Sequence, residues 1–186
     1  MILELIERLA REAEKRGIEF LVIGGHAVVH HGYERMTTDV DFLSEQGARE
    51  AWRSILREFG YEIAVETPAF EQFSKQEPGW PQVDIMFVNP STWENLRGES
   101  EAKTSRRVVV RVPSPAHMVA LKLHAASSPQ RSDPEKDWGD IFQLVKRHRL
   151  DPDEEAFAGL VKRYGGEVAL ERLKKWRSNL PCGVWK

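Results

Sequence analysis

The chain has 186 residues, 41% of them hydrophobic and 30% charged, with ten prolines, thirteen glycines and a net charge of −2. That length buries a proper core, and the composition is that of an ordinary folded domain rather than a disordered one. A single cysteine excludes an intrachain disulfide and a cysteine-cluster zinc site, and the absence of net positive charge gives no global attraction to nucleic acid or anionic membrane.

In the opening stretch "MILELIERLAREAEKRG", Ile2, Leu3, Ile6, Leu9, Ala10 and Ala13 recur at helical spacing, and Gly17 follows where a helix ends. Its frequent charges leave no apolar run of the kind a secretory signal needs, and nowhere do eighteen apolar residues run together, so the expectation is a cytoplasmic protein with no membrane span. "IEFLVIGG" reads as a short buried strand closed by glycines, and "HAVVHH" as the start of a helix. "TDVDFL" alternates, which places Asp39 and Asp41 on one face and Val40 and Phe42 on the other. Ala48, Trp52, Ile55, Leu56 and Phe59 mark a helix closed by Gly60. Two extended stretches follow, "YEIAVE" and "AFEQFSKQ", the second left through the turn "EPGWP".

"QVDIMFV" sets Val83, Ile85 and Phe87 against Asp84, Met86 and Val88, a strand with one carboxylate on an otherwise apolar face. After a short helical piece at "STWENL", "RRVVVRV" reads as a half-exposed strand. Beyond it, Ser114-Pro115, Asp133-Pro134 and Asp151-Pro152 each pair a capping side chain with a proline, which predicts three helix starts, and a fourth helix is expected from about Glu167 to Arg177. "SSPQRSD", residues 127–133, is the expected mobile loop. The plan is an α/β core over 1–113 followed by a helical subdomain over 114–186 packed on it.

Glycines between strand and helix leave backbone N–H groups open to an anionic phosphate, so Gly24-Gly25 reads either as a phosphate-binding turn or simply as a tight one. Asp39 and Asp41, close together on one face, repel unless solvent or a cation separates them; Mg²⁺ takes such ligands, and a solvent-facing sheet edge accounts for them equally well. Asp84 favours the first reading, because a carboxylate among apolar neighbours is costly to desolvate without a partner. Three aspartates on two strands, with a glycine pair upstream, supply what two-metal phosphoryl transfer requires.

The combination of "GG" after a strand, "RMTTDVDF" in the form Arg-x-Thr-x-Asp-x-Asp, and "VDIMF" resembles the nucleotidyltransferase superfamily of the DNA polymerase β type, closest to the small AbiEii-type toxins and related antibiotic nucleotidyltransferases. The resemblance spans roughly residues 18–145 and implies a mixed-sheet nucleotidyltransferase palm flanked by helices. It implies that Asp39 and Asp41 bind two Mg²⁺ ions, that Asp84 binds the catalytic ion and helps deprotonate an acceptor hydroxyl, and that Gly24 and Gly25 hold the triphosphate of an NTP donor such as ATP. Lys122, in the nearly all-apolar "SPAHMVALKLHAA", would contact the nucleotide phosphates; a snorkelling lysine is the plainer account. Asp137 and Asp140 share a helix face, and Asp140 either orients that lysine or binds substrate, against the alternative that both acids serve the helix dipole. His26 joins the phosphate or metal site or is structural, and Arg35 and Thr37 either order the loop or face the phosphate. His30 and His31, being adjacent, point apart and make a poor joint metal site. Trp80, Trp93, Trp138 and Trp185 pack the core or stack on a base.

The expected activity is transfer of an NMP from the NTP to an acceptor hydroxyl with release of pyrophosphate, as the toxin of a toxin-antitoxin pair. The rival is a non-catalytic nucleotide-binding or toxin-antitoxin partner module that retains the fold, suggested by the little chain left to build an acceptor pocket. A tRNA 3′ end, a protein hydroxyl or a small antibiotic each fits as acceptor, with the mild acidity weighing against RNA. An antitoxin partner and a homodimer complete the expectations.

Overall fold

The computed structural model describes residues 1–105, 107–129 and 133–181. Arg106, residues 130–132 of the expected mobile loop, Cys182, Trp185 and the "CGVWK" end therefore lie outside the described residues. Two compact units emerge, one of residues 1–30 and 34–113, the other of residues 31–33 and 114–186.

The first unit opens with α1 (Ile2–Lys15). Its buried stripe is Leu5, Ile6, Leu9, Ala10 and Ala13, so Leu5 takes the core place that Leu3 was expected to hold, and Leu3 is exposed. The reason is register, since Leu5 lies four residues before Leu9 on the same face and Leu3 does not. Then come β1 (Phe20–Val22), α2 (Gly24–His30), β2 (Val40–Glu45), α3 (Arg49–Glu58), β3 (Glu62–Thr67), β4 (Phe70–Ser74), β5 (Val83–Val88), α4 (Pro90–Gly98), β6 (Glu101–Ser105) and β7 (Val108–Val112). The main sheet has the order β1-β2-β5-β4-β3 and is mixed, with β2 and β5 parallel and every other pair antiparallel. β6 and β7 form a separate antiparallel pair.

The parallel β2–β5 pair sets the two faces of the sheet. On one face Val40, Phe42, Val83, Ile85 and Phe87 are buried, and Trp52 of α3 stacks on Phe42 at 5.3 Å between ring centroids. Phe20 meets both rings edge-on. Glu71 of β4 also belongs to this face and is fully buried, with Arg49 and Arg53 of α3 paired to its carboxylate. The opposite face carries Asp41 in register with Asp84, and Asp84 in register with Gln72.

The second unit is helical: α5 (Pro115–Ala126), α6 (Pro134–His148) and α7 (Glu155–Ser178). Ser114 and Asp133 cap α5 and α6 as expected, accepting from His117 N and Lys136 N, each with a proline in the first turn. The third expected start is a turn instead. Asp151 accepts from Asp153 N at 2.8 Å, a local side-chain turn that competes with helix, and α7 begins only at Glu155. The fourth expected helix is the second half of α7, since Gly166, at φ 75°, interrupts the helical backbone where only glycine does so without strain. No helix among the described residues is long and apolar enough to cross a membrane.

Candidate active site

Asp41 and Asp84 are direct partners across the parallel β2–β5 pair, so their carboxylates rise from the same face of adjacent strands. Asp39 stands two residues before Asp41, just ahead of β2, and accepts from Thr38 Oγ1 at 3.0 Å. Burial, then the Asp41 charge, then that of Asp39 push the Asp84 carboxyl up to about 7, against hydrogen bonds from Gln82 and Gln72 that favour its ionised form. Gln82 Nε2 donates to Asp84 Oδ1 at 3.0 Å. These two amides are the site residues the sequence reading missed. Alternation in "AFEQFSKQ" puts Gln72 on a defined face of β4, but only the β4–β5 register sets it opposite Asp84.

Gly24 is bound to this pair by space. It has φ +59°, and a Cβ on it would lie within contact distance of the Asp41 carboxylate and 2.8 Å from Asp41 Cβ. Backbone thus approaches the carboxylate as only glycine permits. Gly25 is equally confined: a Cβ there would stand 2.6 Å from Arg35 Nη2 and 2.7 Å from Thr37 Cβ, and nearer still to Thr37 Oγ1. The next residue, His26, is buried, and its Nε2 has no hydrogen-bond partner among the described residues. Burial, the neighbouring His30 and Arg35 lower its pKa, against the opposing charge of Asp39. Gly24, Gly25, His26, Arg35, Thr37, Asp39, Asp41 and Asp84 therefore gather in one region of the first unit.

His31 belongs to the second unit, where its ring packs edge-on against that of His148 and its carbonyl lies 3.2 Å from His148 Nε2. In the same unit Lys122 does not snorkel. It is 7% exposed, and its Nζ lies 3.0 Å from Asp137 Oδ1 and 2.8 Å from Asp140 Oδ2, carboxylates that are themselves 0% and 2% exposed. Asp137 and Asp140 are accordingly more than dipole-complementing acids of a helix start: both are spent on one buried cation. Trp93 is buried in the first unit, and Trp138 carries the Arg172 guanidinium 4.1 Å over its ring. Trp80 likewise stacks under Lys75 Nζ at 3.7 Å, so these rings are engaged by protein groups.

The donor set of Asp39, Asp41 and Asp84 is all hard oxygen, which suits Mg²⁺ and no soft metal. The mutual repulsion visible at Asp84 is what a divalent cation relieves, so the residues present fit such an ion. As the side chains stand, no group of three or more His, Cys, Asp or Glu is gathered around a common metal position among the described residues; Asp41 and Asp84 are in register, while Asp39 is turned to Thr38.

The family described as "Nucleotidyl transferase AbiEii toxin, Type IV TA system" matches residues 8–181. No curated protein matches the chain in sequence. Among solved structures, ANT(2″)-Ia in complex with adenylyl-2″-tobramycin superposes with a TM-score of 0.65 at 20% identity, over 87% of this chain and 98% of that one. The lincosamide antibiotic adenylyltransferase LnuA, lincomycin-bound, gives 0.56 at 18% identity, over 75% and 93%. The Megavirus polyadenylate synthase gives 0.54 at 16% identity, over 83% of this chain and 32% of that one. At these identities the likeness is one of fold.

Proposed function

Because the chain belongs to the AbiEii nucleotidyl transferase toxin family, a family of nucleotidyltransferases, we propose that it moves an NMP from an NTP to an acceptor hydroxyl and releases pyrophosphate, as the toxin of a toxin-antitoxin pair. The observation that carries this reading is the register of Asp41 with Asp84, with Gly24 pressed against the Asp41 carboxylate. Asp39, Asp41 and Asp84 would hold Mg²⁺, two ions in the full site. When bound, Mg²⁺ neutralises the triphosphate and polarises the phosphorus under attack.

The chain's own residues supply the rest. The acceptor oxygen forms a bond to the α-phosphorus, the α–β bridging bond breaks, and pyrophosphate leaves with that electron pair. Asp84, whose carboxylate stands beside Asp41 on the same face of the sheet, takes the hydroxyl proton. Gln82 and Gln72 hold that carboxylate in place. Gly24 and Gly25, which open α2, present backbone to the triphosphate, with Arg35, Thr37 and His26 beside them. Within the second unit, Asp137 and Asp140 hold the Lys122 ammonium, the cation that the resemblance assigns to the donor phosphates.

The acceptor is a tRNA 3′ end, a protein hydroxyl or a small molecule; the adenylyl-2″-tobramycin and the lincomycin bound in two structural neighbours support the last. Incubating the protein with each α-³²P-labelled NTP, Mg²⁺ and separate RNA, protein and small-molecule fractions tests the reading. Label should move to one fraction and pyrophosphate should appear, and both should vanish in Asp39→Asn and Asp41→Asn. Metal-dependent NTP binding without any transfer would instead establish the non-catalytic module, and undiminished transfer by both variants would sink the assignment.

A further inference from the structure

The two faces of β4 and β5 differ in burial. On the side of α3, Glu71, Phe73, Val83, Ile85 and Phe87 are all buried. On the side of the aspartates, Phe70, Gln72, Asp84 and Met86 are only half-buried. The register orders that open side into two rows running outward to the sheet edge. One passes from Asp41 to Asp84, Gln72 and Val65, the other from Leu43 to Met86, Phe70 and Thr67. Val65, on the edge strand β3, is 44% exposed. An apolar shelf of Val65, Phe70 and Met86 thus continues the row of paired carboxylates, with the Gln72 amide set between.

Charge narrows what such a shelf can take. β3, β4 and β5 contain no lysine or arginine, and their charged residues are all acids: Glu62, Glu66, Glu71 and Asp84. Lys75, the first cation after β4, is spent on aromatic rings, its Nζ 3.7 Å over Trp80 and 5.0 Å from Tyr61. A run of nucleic-acid phosphates laid along these strands would meet carboxylates and no counter-charge, whereas nucleic-acid affinity comes largely from lysine and arginine. Apolar side chains with one or two well-placed polar groups are instead the lining of small-molecule sites. We propose that this shelf seats the acceptor, and that the acceptor is a small molecule, uncharged or cationic, with an apolar face beside the hydroxyl that is modified. The inference rests on the nucleotidyltransferase reading and narrows its acceptor. From Asp84 to Val65 is two strand spacings, about 10 Å, which suits a molecule of two rings. Gln72, with one N–H given to Asp84, keeps the other N–H and its carbonyl for a polar group of that molecule.

The test offers the full chain, with Mg²⁺ and each α-³²P-labelled NTP, three probes in turn: total tRNA, total cell protein, and a macromolecule-free cell extract divided by ion exchange into anionic, neutral and cationic pools. Label should move into the neutral or the cationic pool. With that pool as acceptor, Val65→Lys should raise the amount needed for half-maximal transfer about tenfold, since it removes apolar surface and adds a charge where an exposed edge strand tolerates one. Phe70→Ser should do the same, and in both variants the KM for NTP should stay within about twofold of wild type. Val65→Ile should transfer like the wild type. Thermal unfolding accompanies each variant, and Val65→Lys should melt with the wild type. Label that moves instead into tRNA, protein or the anionic pool overturns the inference and leaves the nucleotidyltransferase reading standing. So does label in the expected pool that Val65→Lys leaves undisturbed. No transfer and no pyrophosphate with any NTP and any probe overturns that reading and this inference with it.

Discussion

Asp84→Asn tests the electrostatics of the site without a substrate. The carboxyl is raised from 3.8 to about 7, first by burial and then by Asp41. Between those two values the folded state binds more protons than the unfolded one, so stability is full below about pH 4 and is lost as pH rises through about 7. A gap of about three units corresponds to ~4 kcal/mol, and partial exposure of Asp84 to solvent brings the expected effect to ~2 kcal/mol. Asparagine keeps an acceptor for Gln82 Nε2 and removes the charge. Urea unfolding of EDTA-treated wild type and variant is compared from about pH 4.5 to about pH 8.5. The stability of the variant relative to wild type should climb by ~2 kcal/mol across that range, and Mg²⁺ should narrow the gap by stabilising the wild type alone. A difference flat with pH would refute the crowding of Asp84 by Asp41, and with it the argument that these carboxylates call for a cation.

Three further outcomes follow from the packing. Gly24→Ala forces a side chain onto a residue at φ +59° and into the Asp41 carboxylate, so it should cost at least ~2 kcal/mol in urea unfolding and abolish transfer. Lys122→Met leaves Asp137 and Asp140 buried without their cation and should cost about 3–5 kcal/mol, much of it regained when both acids are also made Asn. Glu71→Gln weakens the pairing with Arg49 and Arg53 on the sheet face away from the aspartates; it should lower stability by ~2 kcal/mol while Mg²⁺-dependent tripolyphosphate binding by the folded protein stays unchanged.

Much of the geometry of the candidate site was legible because its information is local. The alternation in "TDVDFL" and "QVDIMFV" assigns each aspartate a face, and the glycine pair ends an apolar run where a strand must stop. What escaped was non-local or lacked an apolar signal. β6, "EAKTS", went unseen because Ala102 is its one apolar residue; only pairing with β7 makes it a strand. Glu71 reads as an ordinary exposed acid until α3 brings two arginines onto it. Asp151-Pro152 has the composition of a helix start, but Asp151 spends its carboxylate on a tighter turn. The confinement of Gly25 by Thr37 depends on the chain folding back after α2, which no spacing reveals.

The parallel pairing of β2 with β5 also times the protein's chemistry. Between Asp41 and Asp84 lie α3, β3 and β4, and the two carboxylates meet only when β5 inserts between β2 and β4. A nascent chain still short of Val83 can have folded helices and a β3–β4 hairpin, yet it has half a site. The paired carboxylates therefore come into being in one step, when β5 takes its place beside β2, and no shorter segment of the chain assembles them.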